Sequence, residues 1–211
     1  MKRYPEISAF ILAGGASSRM GEEKGLLRFG GEPLILRTAR LLDPLVHRVI
    51  VVGKPELYTG LGLHVIPDPA TGGGNESAPV RTPLVGIATA LSATVSPWNL
   101  ILACDLPYLT PEWVSWLLSR AAGSGAQIVM PRTSRGLEPL AAIYRRECAA
   151  PVLGALERGI RKVTDGLPGC RIEYLEEDEW TALDHGRRVL KNMNSPEDYL
   201  EAKRWWESKD S

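Results

Sequence analysis

The strongest constraint in this chain is a succession of short, nearly unbroken apolar runs rich in Val and Ile, at residues 7–13, 48–52, 63–67, 100–104 and 126–130. A half-exposed strand alternates apolar and polar residues, whereas one that is apolar along its length has to be covered on both faces. The intervening segments supply that cover. Residues 33–45 carry Leu34, Leu41 and Leu42 at near-helical spacing behind Pro33, and residues 83–93 and 111–122 again open on a proline suited to a first helical turn. Thr110 reads as the N-cap of the last of these. The alternation predicts βαβ units and a Rossmann-like three-layer α/β/α fold with a mostly parallel sheet. Beyond Pro131 the rhythm changes. Residues 138–144 and 171–175 read as strands around a helix at 151–158, which predicts a mixed or antiparallel C-terminal part. Residues 196–208 read as a closing amphipathic helix with Tyr199, Leu200 and Trp205 on the core.

No repeat and no Pro- or Ser-rich linker divides the 211 residues, so residues 1–211 are read as a single domain. The 25 Lys and Arg residues balance 25 Asp and Glu, leaving no overall field to hold nucleic acid or an anionic membrane, so any bound anion must be held locally. No apolar run approaches the roughly 18 residues of a membrane span. Lys2 and Arg3 precede a segment of strand length rather than a signal-peptide core, and a cytoplasmic setting is expected. Cys104, Cys148 and Cys170 form no CxxC pair, which fits a reducing compartment and buried, inert thiols. Residues 70–82, which include Gly72-Gly73-Gly74-Asn75, are too polar and glycine-rich for a packed element and read as a mobile surface loop or as a lid.

In an open α/β sheet, ligands sit beyond the carboxyl ends of the strands. Three such ends carry chemistry here. The first run continues as Leu12-Ala13-Gly14-Gly15-Ala16-Ser17-Ser18-Arg19-Met20-Gly21-Glu22-Glu23-Lys24. Glycines let main-chain N–H groups approach phosphate oxygens, and Arg19 and Lys24 add the positive charge that a triphosphate requires. The segment is neither a P-loop nor GxGxxG, and on these residues alone a phosphate cradle and a plain surface turn are equally good readings. The third run ends in Asp68 and the fourth in Cys104-Asp105-Leu106-Pro107, so two carboxylates share the rim with the glycines. Mg²⁺ usually takes one or two carboxylates plus substrate phosphates and water. Asp105, expected to face solvent, is therefore the natural metal ligand and Asp68 a second polar contact. Asp before Pro is also ordinary turn and capping chemistry, and for Asp68 alone that is the better reading.

Other chemistry is set aside quickly. His47, His64 and His185 show neither HExxH spacing nor a nearby cysteine pair, so zinc is not expected, and Ser17 and Ser18 lack the context of a nucleophile elbow. Arg187, Arg188 and Lys191 read as a small basic patch near the site or, by default, as a solvated face. Trp113, Trp116, Trp205 and Trp206 read either as a partner surface or as helix-to-core packing.

Four motifs in order carry a resemblance. Leu12-Ala13-Gly14-Gly15 through Arg19-Met20-Gly21 to Lys24, followed by Gly31-Glu32-Pro33-Leu34, resembles the signature of the nucleotidyltransferases, and among them of the molybdenum cofactor guanylyltransferases. Thr82-Pro83-Leu84-Val85-Gly86 is similar to the family's GPLxG element and Cys104-Asp105-Leu106-Pro107-Tyr108 to its CDxPY metal strand. Asn192-Met193-Asn194-Ser195-Pro196-Glu197-Asp198 resembles its closing NxNxPxD motif, and Glu138-Pro139-Leu140 falls where the family places a strand facing the pterin. The resemblance implies transfer of GMP from GTP to molybdopterin or its molybdenum-loaded form, with release of pyrophosphate and Mg²⁺ as cofactor. By the same resemblance Asp105 holds the metal, Lys24 and Arg19 meet the triphosphate, and Leu12, Ala13, Gly14 and Gly15 bind the nucleotide. Asp68 contacts the nucleoside, while Asn192 and Asn194 lie on the pterin side. Gly15 follows the LAGG form that accompanies guanylyl transfer, where the related cytidylyltransferases have LAAG. The chain departs from the pattern after its second strand, where Gly53-Lys54 stands in place of a nucleotide-contacting Asn, and at Glu23, where Asp is common. A cytidylyltransferase, a sugar-phosphate nucleotidyltransferase and a non-catalytic module that delivers cofactor to an enzyme are the alternatives.

Overall fold

The computed structural model describes residues 1–14, 23–68, 82–167, 169–183 and 188–208. In chain order, β1 (Ile7–Leu12) precedes a small hairpin of β2 (Arg28–Phe29) and β3 (Glu32–Pro33), then α1 (Leu34–Leu42) and β4 (Val49–Gly53). Next come α2 (Pro55–Tyr58), β5 (Val65–Pro67), α3 (Pro83–Ala93), β6 (Trp98–Ala103) and α4 (Pro111–Gly123). The rest is β7 (Ile128–Thr133), β8 (Gly136–Leu137), β9 (Ala141–Arg145), α5 (Ala149–Glu157), β10 (Ile172–Glu176) and α6 (Pro196–Glu207).

The sheet runs β10-β7-β9-β6-β1-β4-β5, with β8 beside β7. β1 pairs in parallel with β4 and β6, and β4 in parallel with β5. The expected mixed part is β9, antiparallel to both β6 and β7, with β10 parallel to β7. Continuous apolar strands have the anticipated cause. Ile7, Ala9 and Ile11 of β1 face α1 and α4, with Ile35, Leu42, Trp113 and Leu117 fully or almost fully buried against them. Phe10 points to the other face, where Leu84, Ile87 and Leu91 of α3 and Val152 of α5 cover it. A third cluster, Leu27, Phe29, Leu34, Tyr108, Met193 and Ala202, docks α6 on the hairpin.

Three expectations are corrected. Pro33 does not open α1 but pairs with Arg28 in the hairpin, because Leu34 N–H donates to Leu27 O at 2.9 Å and ties the entry to that turn. The strand read at 138–144 begins only at Ala141, since Pro139 has no N–H to give a ladder. Leu200 is exposed, whereas Tyr199 and Trp205 do pack on the third cluster. Of the remaining tryptophans, Trp113 is fully buried, and Trp206 donates to Pro107 O at 2.9 Å beneath the Arg37 guanidinium, which favours packing over a partner surface.

Helices α3, α4 and α6 all begin with a hydroxyl residue followed by proline. Thr110 Oγ1 accepts from Trp113 N–H at 3.2 Å, the capping expected, and Ser195 Oγ accepts in the same way from Asp198 N–H at 3.2 Å. Thr82 has the same extended N-cap backbone yet makes no cap bond, and its buried Oγ1 has no hydrogen-bond partner among the described residues. Thr110→Val should therefore cost about 1 kcal/mol of stability, read as a lower denaturation midpoint at unchanged slope. Thr82→Val should cost nothing or stabilise, because it removes an unsatisfied hydroxyl.

At the start of α6 the Asp198 carboxylate accepts from Asn194 N–H (2.9 Å) and Ser195 N–H (3.0 Å), which holds its carboxyl below the usual carboxylate range. The depressed folded value means that this stabilisation is present above the unfolded Asp value, about 3.9, and lost as pH falls through the folded one. Thermal melts at acid pH should accordingly show Asp198→Asn converging on the wild type, and separating from it towards neutrality.

Candidate active site

The carboxyl ends of β1, β4, β5 and β6 lie along one edge of the sheet, and a cavity of about 220 Å³ opens there. Backbone bonds set this edge: Ala13 N–H donates to Val52 O (2.8 Å), Cys104 N–H to Leu12 O (3.1 Å) and Asp68 N–H to Gly53 O (3.1 Å). Two glycines are needed for the strands to converge so closely. A Cβ on Gly14 would lie 2.2 Å from Asp68 Oδ2, so the Asp68 carboxylate occupies the space where a side chain would stand. A Cβ on Gly53 would press on Ala13 O at 3.2 Å and the Tyr58 ring at 3.3 Å, so the end of β4 is tightly packed here.

The cavity's flanks differ. Leu12, Val52, Pro83, Gly86 and Leu140 make one apolar, beside the first turn of α3. The other is charged. Lys24, in a 3-10 turn (Lys24–Leu26), places Nζ 2.8 Å from Asp105 Oδ2 and 2.6 Å from Asn194 Oδ1. Two of its three N–H donors are thereby engaged, and the third is uncommitted among the described residues. Met193 N–H donates to Asp105 O at 2.9 Å, locking the 192–194 segment to the end of β6. Lys54, just past β4, pairs with Glu23 at 2.5 Å and adds a second ion pair to this rim.

Asp105 was expected to face solvent, and the structure corrects this. Its side chain is 15% exposed, Oδ2 is paired with Lys24, and Oδ1 is buried without a hydrogen-bond partner among the described residues. An orphaned carboxylate oxygen beside a phosphate-sized cavity suits a hard cation that takes its remaining ligands from substrate and water. No group of three or more His, Cys, Asp or Glu side chains able to hold a metal occurs among the described residues, so such an ion would depend on Asp105 and on its substrate. Cys104 lines the same cavity, but burial, with Asp105 adding to it and Lys24 opposing, pushes its thiol up to about 12. It is a neutral thiol near pH 7, not a nucleophile.

Of the residues anticipated, Leu12, Ala13, Gly14, Lys24, Asp68, Asp105 and Asn192 line one cavity, and Asn194 is bonded to Lys24 at its edge. Gly15, Arg19 and nearly all of the 70–82 loop lie outside the described residues. Arg188 and Lys191 both pair with Glu201 of α6, which supports the solvated-face reading of that run. The sequence reading missed the Lys54–Glu23 pair and Thr82. Lys54 follows a strand end just as Asp68 and Asp105 do, and that position was the signal available. Thr82 carried a weaker one, standing where the similar element has glycine, but its Thr-Pro context matches that of the capping Thr110 and masked it.

The profile of the MobA-like NTP transferase domain family matches residues 9–172. A protein of Pelotomaculum thermopropionicum named probable molybdenum cofactor guanylyltransferase is 35% identical over 199 residues, 94% of this chain and 92% of that protein. One of the same name from Trichormus variabilis is 34% identical over 200 residues, covering 91% and 88%. In fold, the chain is similar to the crystal structure of molybdopterin-guanine dinucleotide biosynthesis protein A from Archaeoglobus fulgidus, with TM-score 0.79 at 23% identity over 95% of this chain and 99% of that one. With a family profile over most of its length and sequence relatives to match, the chain belongs to the MobA-like NTP transferase domain family and is a nucleotidyltransferase.

Proposed function

We propose that the protein transfers GMP from GTP to a terminal phosphate of molybdopterin, or of its molybdenum-loaded form, and releases pyrophosphate, with Mg²⁺ as its metal. The observation that carries this reading is Lys24, held by Asp105 and Asn194 with one N–H uncommitted, beside a glycine-lined cavity at the carboxyl edge of the sheet. Displacement at phosphorus asks for positioning and charge neutralisation more than for covalent help from side chains. An acceptor phosphate oxygen forms the new bond to the α-phosphorus of GTP. The bond from that phosphorus to the bridging oxygen breaks, and the electron pair leaves with pyrophosphate.

Each residue has a part in this. The main chain at Leu12, Ala13, Gly14 and Gly15 approaches the nucleotide, Lys24 and Arg19 meet the triphosphate, and Asp68 meets the nucleoside. Asn192 and Asn194 stand on the pterin side. Asp105 orients Lys24 through Oδ2 and offers Oδ1 to the metal. Mg²⁺ at Asp105 and the substrate's own phosphates would supply neutralisation of the charge that builds on the leaving pyrophosphate. The apolar flank of Leu12, Val52, Pro83, Gly86 and Leu140 suits a base. Guanine is supported by Gly15 and by the names of the relatives. We place the reaction in the cytoplasm, with residues 1–211 acting as one unit and no nucleic acid or membrane involved. Among the described residues no helix is long and apolar enough to cross a membrane.

The test is pyrophosphate release from purified protein with molybdopterin and Mg²⁺, with GTP and CTP run in parallel. Release with GTP alone is expected. Release with CTP alone keeps the mechanism and overturns the base, and silence with both in folded protein overturns the transferase assignment to this acceptor. Lys24→Met should lower kcat by roughly 10²–10³-fold, the scale of losing one preorganised donor. A change within about twofold, below any such donor effect, would remove Lys24 from the reaction. Asp105→Asn is the better probe of the metal position than Asp105→Ala, since it keeps the volume and an acceptor for Lys24. It should weaken Mg²⁺ dependence and leave a cooperative thermal melt.

A further inference from the structure

Thr82 and Thr110 stand in the same frame, each an extended residue ahead of a proline that opens a helix, with φ and ψ of −126° and 156° at Thr82 and of −118° and 149° at Thr110. Their hydroxyls do different things. Thr110 Oγ1 caps α4 by accepting from Trp113 N–H. At α3 the corresponding donor, Val85 N–H, turns instead to Thr82 O at 3.0 Å, and Gly86 N–H joins it there at 3.3 Å. The Thr82 side chain is thereby released from its helix, and Thr82 stands in the wall of the cavity. A second difference is charge. Glu112 lies in the first turn of α4, and Glu197 and Asp198 lie in that of α6, whereas the first turn of α3 holds no acid. The positive end of α3 is left without an acidic residue of its own and favours an electron-rich atom beside it.

We propose that Thr82 reads the base, its hydroxyl donating a hydrogen bond to the 6-oxygen of guanine. The inference rests on the nucleotide-binding reading of the cavity and adds one contact to it. Elimination supports this contact. Leu12, Val52, Pro83, Gly86 and Leu140 bring no polar side chain to the apolar flank, so among the described residues a base lying there meets Thr82 as the side-chain donor on its own side. Asp68 is a carboxylate, which accepts and so suits the N–H groups of a base, and the 6-oxygen needs a donor from elsewhere. Thr82 Oγ1 is buried and has no hydrogen-bond partner among the described residues. Rotation about χ1 exchanges it with the methyl group and breaks no bond, so the hydroxyl turns to the cavity without leaving a partner behind. A purine with an amino group at the same ring position would bring N–H groups to the positive end of α3. The selection is therefore for a 6-oxo over a 6-amino purine.

The test is equilibrium binding of nucleotides to the purified protein with Mg²⁺ and without acceptor, read by titration calorimetry. The probes are GTP and 2-aminopurine riboside triphosphate, which keeps the 2-amino group but lacks the 6-oxygen. Thr82→Val should raise the Kd for GTP about three- to tenfold, the scale of one neutral hydrogen bond, and leave that for the analogue within about twofold. The analogue also lacks the N1 proton, but that change is common to both proteins and cancels in the cycle. Thr82→Ser, which keeps the hydroxyl, should bind GTP as the wild type does. The denaturation midpoint of Thr82→Val, expected not to fall, separates a lost contact from a lost fold. Equal losses for the two ligands overturn the contact with the 6-oxygen, and an unchanged GTP affinity in Thr82→Val overturns any part for the hydroxyl. Wild-type protein that binds no GTP overturns the guanine nucleotide reading itself, and the inference with it.

Discussion

Everything at the candidate site depends on β1 being held from four directions. Parallel neighbours bind both its edges, and packed helices cover both its faces. Burial of a side chain such as Ile7, Phe10 or Ile11 contributes about 1.5–3 kcal/mol, and alternate residues contribute on opposite sides. A slip of one residue would exchange the two sets, driving Phe10 into the space shaped for Ala9 and Ile11. The register is therefore unique, and the chain leaves the sheet at Ala13-Gly14 and nowhere else. That exit point is where Asp68 closes against Gly14 and where the neighbouring strand ends deliver Gly53 and Asp105.

On this rigid edge sits a polar chain, Asp105 to Lys24 to Asn194, whose backbone N–H continues to Asp198. It joins three distant parts of the sequence: the turn after β1, the end of β6, and the entry to α6. A mostly buried ion pair is weak evidence for stability, because desolvation consumes much of the attraction. Its value here is positional. Lys24 is neutralised and aimed before any anion arrives, so the cation needs no reorganisation on binding, which is the condition under which a fixed charge is most effective. The third hydrophobic cluster explains why the arrangement holds: Met193, flanked by the two asparagines, is fully buried against the hairpin and α6.

The sequence was most legible where one physical cause acts alone. Double-sided burial gave away the parallel strands, and the strand-end rule picked out Gly14, Asp68 and Asp105 before any geometry was known. The resemblance added Asn192 and Asn194, which spacing alone does not connect to a site 170 residues upstream. Legibility failed where two causes compete. Pro33 satisfies both a helix start and a hairpin end, and the tie is broken by a bond to Leu27 that only the folded chain contains. Asp105 looked exposed because a strand end usually is, but Lys24 and the 192–194 segment fold over it.

The two flanks of the cavity follow different rules. The charged flank is built from the Lys24–Asp105 ion pair and from Asn194, which accepts from Lys24 at 2.6 Å. The apolar flank is built from the first turn of α3 together with Leu12, Val52 and Leu140, and it is here that this chain shows its individual features. Gly86 lets α3 approach Leu12 closely, for a Cβ there would lie 3.1 Å from Leu12 Cδ1. Thr82, standing where the similar element has glycine, leaves a buried hydroxyl unsatisfied instead of capping its helix. An uncapped helix start and an orphaned hydroxyl are both costs to the fold at this point. The two flanks are nonetheless coupled, because Ala103 N–H donates to Leu140 O at 2.8 Å and ties the apolar flank to β6, the strand that ends beside Asp105.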